Sequence, residues 1–157
     1  MNTFDILPLN KQLRNAIDDL GFVKPTPIQE QSFPVVRSGS DVVGIAQTGT
    51  GKTLAYMLPI LQDIKFQKID TPRVLILVPT RELVLQVVER VQEFSKYMNL
   101  RVLGVYGGTN INTQKKACAL GVDVVVATPG RLYDLAACRA LQLKTIKQLV
   151  IDEVDVM

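Results

Sequence analysis

The sequence predicts an α/β fold in which a mainly parallel sheet is covered by helices on both faces. Five short apolar runs, most of them rich in β-branched residues and without strict alternation, have the pattern of strands that are buried on both sides. Helical segments separate these runs, and such an alternation indicates right-handed βαβ crossovers. The chain has 157 residues, 47% of them hydrophobic, which is enough to bury one core without disulfides or a metal.

The predicted elements alternate from residue 42 onward. Strands are predicted at residues 42–46, 74–78, 102–106, 124–127 and 149–151. Helices are predicted at residues 52–64, 81–97, 113–120 and 132–138. Because the sequence has no repeat, low-complexity tract or Gly/Ser linker, we expect a single domain over residues 1–157.

Two helices are predicted before the first strand. Apolar residues at helical spacing predict an amphipathic helix over residues 11–20, and Gly21 stands where a C-terminal cap belongs. The second helix is expected to begin with Thr26 as its N-cap and Pro27 at its first position. Pro34 is expected to kink or divide it.

Composition excludes several classes of protein. Histidine is absent, which excludes Ser-His-Asp and Cys-His nucleophilic sites and the commoner zinc sites. The two cysteines, Cys118 and Cys138, form no CxxC pair, so a reducing compartment is favoured. No apolar run approaches the roughly 18 residues of a membrane span, and the N-terminus lacks the pattern of a signal peptide. We therefore expect a cytoplasmic protein without membrane contact.

The charge is unevenly distributed along the chain. The net charge is +3, yet residues 96–151 carry eight basic and two acidic side chains, a local +6, and the remainder sums to −3. A basic C-terminal half can face an anionic polymer. On charge alone, a solvated surface of mixed charges remains the alternative.

A glycine-rich turn follows the first predicted strand and opens a predicted helix. It consists of Ala46, Gln47, Thr48, Gly49, Thr50, Gly51, Lys52 and Thr53. Backbone N–H groups of such a turn converge on phosphate oxygens, Lys52 would reach the β- and γ-phosphates, and the Thr53 hydroxyl would hold Mg²⁺. The strict P-loop pattern has Gly where Ala46 stands, and the alternative is a purely structural turn. Leu54 occupies the place of the third glycine of a dinucleotide fingerprint, which excludes that motif.

A second candidate site lies at the end of the last predicted strand. Asp152 follows three apolar residues and would bind the magnesium shell, while Glu153 beside it would polarise the attacking water. Taken alone, the pair is an acidic turn that closes a strand. Together with the P-loop pattern, it predicts nucleotide hydrolysis, with Lys52, Asp152 and Glu153 as the catalytic residues.

Residues 21–29 read Gly-Phe-Val-Lys-Pro-Thr-Pro-Ile-Gln, with an isolated aromatic, Phe4, upstream. This segment resembles the Q motif of the DEAD-box family of ATP-dependent RNA helicases, and essentially the whole chain resembles the first of that family's two RecA-like domains. The resemblance implies a Q-motif region at residues 1–40 and a P-loop core at 41–157. It also implies that Phe4 stacks on adenine and Gln29 reads its edge, with Lys24 and Thr26 in the same ATP site.

Three further segments, each following a predicted strand, resemble the RNA-contacting motifs of this family. They contain Pro79, Thr80, Arg81, Gly107, Gly108, Thr128, Pro129, Gly130 and Arg131. In an open α/β sheet, loops at the carboxyl ends of the strands line one crevice, so these residues would grip RNA phosphates without reading bases. Read locally, Thr80 and Thr128 are simply helix N-caps.

The sequence departs from the family in two places. Val154 stands where the acidic motif of the family has Ala. The chain also stops at Met157, whereas the resemblance implies a further central strand and a second RecA-like domain that supplies arginine fingers. We therefore expect little turnover by this chain alone, and unpaired strand edges that favour self-association.

The function that the resemblance implies is the ATP-binding and RNA-binding half of an RNA helicase. In the parent protein, Mg-ATP hydrolysis would be coupled to unwinding or remodelling of RNA. Two alternatives stay open: a non-catalytic nucleotide- or RNA-binding fragment, and a helicase-like P-loop ATPase that acts on DNA.

Overall fold

The computed structural model of the chain describes residues 3–47, 51–65 and 67–154. These fall into two compact units, the first within Met1–Lys65 and Arg90–Asn99 and the second within Phe66–Glu89 and Leu100–Met157. Among the described residues, no helix has the length and apolar character needed to cross a membrane.

The second unit contains a sheet of four parallel strands. The strands are β1 (Val74–Leu77), β2 (Val102–Val105), β3 (Val124–Ala127) and β4 (Gln148–Ile151), in the spatial order β2-β3-β1-β4. In register, Val74 of β1 is paired with Val124 of β3 on one side and with Gln148 of β4 on the other. The parallel sheet confirms the predicted fold class, and four of the five predicted strands are present.

Helices cover both faces of this sheet. The helix α4 (Arg81–Phe94) approaches β2 so closely that a Cβ added to Gly104 would lie 2.8 Å from the Val84 side chain. On the opposite face, α5 (Ile111–Ala119) and α6 (Pro129–Ala137) close a cluster in which Cys118 and Leu135 pack with the apolar side chains of the strands. Layers of this kind are the arrangement expected of a βαβ fold.

The predicted strand at residues 42–46 is wrong. This segment has no regular secondary structure, and the side chains of Val43 and Ile45 are 89% and 92% exposed. A β-branched sequence forms a strand only where a neighbouring strand completes its hydrogen-bond ladder and a core buries its side chains. Within the described part of the chain, this segment has no neighbouring strand, and no core buries its side chains.

The first unit is built on three helices, α1 (Lys11–Asp19), α2 (Pro27–Arg37) and α3 (Lys52–Asp63). The predicted cap of α1 is confirmed, with Gly21 at φ +76°. Pro34 does not divide α2, because α2 is one element and the Ser38 N–H donates to the Pro34 carbonyl at 3.0 Å; a kink at Pro34 stays a prediction. Packing against α3 holds α2 together despite the missing N–H.

A network of charged side chains lies at the amino-terminal ends of the strands in the second unit. Asp123, 4% exposed, accepts a hydrogen bond from Arg73 at 3.2 Å, and Arg73 itself is 6% exposed. Asp123 also accepts from the backbone N–H of Arg101 at 2.9 Å and from its guanidinium at 3.1 Å. The guanidinium reaches outward to the exposed Asp70 at 3.1 Å. The network therefore runs from a buried ion pair to the surface.

Candidate functional site

The glycine-rich turn ends at the start of α3 in the first unit. Gly51 is the N-cap of α3, with φ +82° and ψ +28°, and Lys52 and Thr53 are its first two residues. Because the cap has no side chain, nothing of Gly51 itself covers the first N–H groups of the helix, which carry its positive dipole end. Thr48, Gly49 and Thr50 lie outside the described residues.

Gln29 joins the start of α2 to the start of α3. Its side chain is 4% exposed; Oε1 accepts from the Thr26 N–H at 3.0 Å, and Nε2 donates to the Gly51 carbonyl at 3.1 Å. A Cβ added to Gly51 would overlap Nε2 and lie 3.4 Å from Cγ2 of Thr26. The structure therefore brings three predicted nucleotide-site residues, Thr26, Gln29 and Gly51, into direct contact.

Three other residues predicted to bind nucleotide, Phe4, Lys24 and Gln47, differ in their exposure. Phe4 begins a short 3-10 turn, Phe4–Ile6, and its ring is only 1% exposed. Lys24 and Gln47 are exposed. A ring buried to this degree presents no open face to a base, so the stacking of Phe4 on adenine stays a prediction that requires the 3-10 turn to move.

The acidic residues lie at the carboxyl end of β4 in the second unit. The Asp152 N–H donates to the Leu77 carbonyl at 2.9 Å, which continues the pairing of β4 with β1. The Glu153 N–H donates to Oδ1 of Asp152 at 2.9 Å, and Glu153 has φ +55°. A left-handed conformation at a residue with a Cβ costs roughly 1–2 kcal/mol and is frequent at functional sites. The magnesium and water-polarising roles stay predictions.

Three exposed loops lie at the carboxyl end of the sheet in the same unit. They follow β1, β2 and β3, three neighbouring strands of one sheet. Their exposed residues include Thr80, Arg81, Gly107, Gly108, Pro129 and Gly130. Because the strands are parallel, the structure brings all three predicted RNA-contacting segments to one edge, as the sequence predicted.

Arg81 and Tyr106 connect the first two of these loops. The Arg81 guanidinium lies over the Tyr106 ring, 5.0 Å from its centroid, and is held by a cation–π contact. The Thr80 hydroxyl accepts from the Leu83 N–H at 3.2 Å, so Thr80 does cap α4. Thr128 is the N-cap of α6, and its N–H donates to the Val105 carbonyl at 3.1 Å. The local and the functional interpretations of these threonines are therefore compatible.

Arg131 is turned toward the loop at residues 106–110. Its side chain is 10% exposed, Nη1 donates to Oε1 of Gln114 at 2.9 Å, and Nη2 donates to the Thr109 carbonyl at 3.1 Å. Gln114, 8% exposed, donates through Nε2 to the Tyr106 carbonyl at 3.1 Å and to the Thr109 hydroxyl at 3.0 Å. Arg131 was predicted to contact phosphate, and that contact stays a prediction.

The sequence model of the family described as DEAD/DEAH box helicase matches residues 26–157, which include all three loops and both acidic residues. The chain belongs to this helicase family. The resemblance inferred from the sequence motifs is thereby confirmed.

Relatives within the helicase family are similar to the chain over nearly its whole length. ATP-dependent RNA helicase DeaD of Buchnera aphidicola subsp. Acyrthosiphon pisum is 43% identical over 157 residues, which cover 99% of the chain and 26% of the relative. DeaD of Escherichia coli strain K12 is 44% identical over 156 residues, covering 99% and 25%. The pre-mRNA-processing ATP-dependent RNA helicase prp-5 of Neurospora crassa is 46% identical over 156 residues, covering 95% and 13%. The chain thus spans about a quarter or less of these helicases.

Sequence reasoning missed Gln114 and Tyr106 in this helicase chain. Gln114 precedes Cys118 by four residues, so both lie on the same side of α5, and Cys118 belongs to the core. A polar side chain on the buried side of a helix needs partners. That conflict between polarity and position was the signal that could have identified Gln114.

Proposed function

We propose that the chain is the ATP-binding and RNA-binding half of an ATP-dependent RNA helicase. The observation that carries this proposal is the convergence of three exposed loops at the carboxyl edge of one parallel sheet, the edge where ligands bind in open α/β folds. Support comes from relatives named as ATP-dependent RNA helicases. In the parent protein, ATP hydrolysis would be coupled to unwinding or remodelling of RNA.

The residues at the start of α3 fit a nucleotide phosphate. Gly51 provides the left-handed residue that begins the helix, and the first N–H groups of α3 point at the position where an anion would be bound. Lys52 would neutralise the phosphates, and Thr53 and Asp152 would hold Mg²⁺. The ion would supply charge neutralisation at the transferred phosphoryl group, while Glu153 would polarise the attacking water.

RNA would be bound through its backbone. The exposed loops offer glycine N–H groups at Gly107, Gly108 and Gly130 and one cation, Arg81, whose guanidinium is positioned by the Tyr106 ring. Donors of this kind bind phosphate and sugar oxygens and carry no base specificity. The chain should therefore bind single strands of different sequence with equal affinity.

Three finer assignments belong to the same proposal. A second RecA-like domain would complete the ATP site in the parent protein, and the protein would work in the cytoplasm. Self-association is supported by β4, which pairs only with β1 among the described strands and exposes Leu149 and Ile151.

The second candidate function is that of a helicase-like ATPase that acts on DNA. Measuring the affinity of the chain for RNA and DNA strands of matched sequence would distinguish the two functions.

Replacing Gln29 with Ala should remove the preference for ATP over GTP. After its bonds to Thr26 and Gly51, the side-chain amide can still take one partner at Oε1 and one at Nε2, which suits the edge of adenine. Loss of these bonds to the base should cost ATP about 1–3 kcal/mol of binding free energy. Calorimetric titration of the chain and the variant with both nucleotides measures the effect.

The ratio of the two affinities is the decisive quantity in that experiment. Loss of the contact from Gln29 to Gly51 weakens ATP and GTP alike, whereas loss of base recognition changes only their ratio. A chain that binds ATP and GTP equally before the substitution would contradict the assignment of Gln29 to the base.

Replacing Arg81 with Ala should lower the salt dependence of RNA binding. A side chain that neutralises one phosphate contributes about one unit to the slope of log affinity against log salt. Fluorescence anisotropy with two unrelated single strands at several salt concentrations measures the slope. Arg139→Ala is the matched control, because Arg139 is exposed and follows the far end of α6. An equal change of slope in both variants would argue against a specific contact by Arg81.

A further inference from the structure

The side chains of Gln114 and Arg131 hold both ends of the exposed loop at residues 106–110. Gln114 binds the Tyr106 carbonyl at the start of the loop and the Thr109 hydroxyl near its end. Arg131 binds the Thr109 carbonyl, and the two side chains bind each other. Three hydrogen bonds therefore fix the two residues that flank Gly107 and Gly108, and a fourth joins the two side chains that make them.

The space that a side chain would occupy is open at both glycines between these fixed points. A Cβ added to either would meet nothing within 4 Å, and Gly108 has φ +80°. A glycine pair without neighbours has many accessible conformations, and ordering it from within the loop would be costly in entropy. The restraint on this pair therefore comes from its ends, where Gln114 and Arg131 bind and where the Thr109 hydroxyl also donates to the Tyr106 carbonyl at 3.4 Å.

We propose that Gln114 and Arg131 are positioning residues that set the conformation of the loop at residues 106–110 for binding the RNA backbone. This inference rests on the proposed function of the loop, but assigns Arg131 a different task from phosphate contact. Both η nitrogens of Arg131 donate to protein acceptors, and its side chain is 10% exposed, so the charge is held beneath the loop. The N–H groups of Gly107 and Gly108 then face the phosphates in a fixed arrangement.

Three variants of the 157-residue chain test this assignment. Gln114→Leu removes the amide bonds at similar volume, and Arg131→Ala removes the partner of Gln114 and the bond to Thr109. Cys118→Ala is the control, because Cys118 is buried on the same helix, one turn from Gln114, and belongs to the apolar core cluster. Backbone order parameters of Gly107 and Gly108 in the free chain and the salt slope of RNA binding are measured for each.

Gln114→Leu and Arg131→Ala should both lower the glycine order parameters from about 0.85 to below 0.6 and weaken RNA binding about tenfold. The salt slope should stay at its original value in both, because no cation that neutralises phosphate is lost. Cys118→Ala should lower the melting temperature and leave both readouts unchanged.

Three results would overturn the assignment. A fall of the salt slope by about one unit in Arg131→Ala would show that Arg131 itself neutralises a phosphate. Unchanged glycine order in Gln114→Leu, or an equal loss of order in Cys118→Ala, would show that this pair does not hold the loop. If the original chain does not bind RNA, the proposed function fails, and the order parameters still decide whether the pair positions the loop.

Discussion

Replacing Gly51 with Ala is expected to weaken ATP binding at least tenfold, or by about 1.4 kcal/mol. The residue has φ +82°, a conformation that costs an alanine roughly 1–2 kcal/mol. The added methyl group would also overlap Nε2 of Gln29, and moving that amide breaks its bonds to Thr26 and Gly51. Calorimetric titration with ATP, together with thermal unfolding of the free variant, measures both consequences.

Gly39→Ala is the control that separates the effect of backbone strain from the effect of the overlap with Gln29. Gly39 has φ +87°, and a Cβ added there meets nothing within 4 Å, so this variant carries the backbone strain alone. We expect it to lose stability while keeping its affinity for ATP. Tight ATP binding by Gly51→Ala would show that the contact between Gln29 and Gly51 does not shape the nucleotide site.

Replacing Asp123 with Ala is expected to lower the free energy of unfolding by about 3–5 kcal/mol, because it breaks the buried ion pair between Asp123 and Arg73. It also removes the acceptor of the Arg101 backbone N–H. Urea titration followed by circular dichroism measures the change. Asp70→Ala is the control: its carboxylate belongs to the same network but is 79% exposed, so no measurable loss is expected.

Acid should abolish the stability that Asp123 contributes. Burial by itself raises the pKa of Asp123, but hydrogen bonds from the Arg101 side chain and backbone and from Arg73 outweigh it, so the pKa lies below its ordinary value. A carboxyl with a lowered pKa stabilises the fold fully above the unfolded-state value of about 3.9. That contribution is lost as the pH falls through the lower, folded-state pKa. Below that pH, the original chain and Asp123→Ala should therefore become similar in stability, and a difference that persists there would contradict this account.

The strands that the sequence predicted correctly are those whose neighbours are strands of the same sheet. β-branched runs at β1 and β3 are paired on both sides and buried, so local composition and tertiary context agree. The run at residues 42–46 has the same composition and forms no strand. A segment forms a strand only if a neighbouring strand is present to pair with it, and the local sequence pattern does not reveal which neighbours are present.

The candidate site was predictable where a motif is contiguous and not where contacts are distant in sequence. The P-loop segment and the three loop segments could be read from adjacent residues. The contact between Gln29 and Gly51 joins residues 22 positions apart, and that between Arg131 and Gln114 joins residues 17 apart. Both depend on how helices pack, which no short motif specifies.

The strand order places the loop after β3 between the loops after β2 and β1. Neighbouring strands in any sheet are about 4.8 Å apart, so the outer two loops begin about 10 Å from each other. If RNA binds to these loops as proposed, the spacing of the strands would set the spacing of its contacts, and the RNA would cross the strand ends at a large angle to the strands. The backbone hydrogen bonds between the strands fix this spacing. In the proposed complex, substitutions in the loops would therefore change the affinity for RNA but not the length of RNA backbone that the three loops contact.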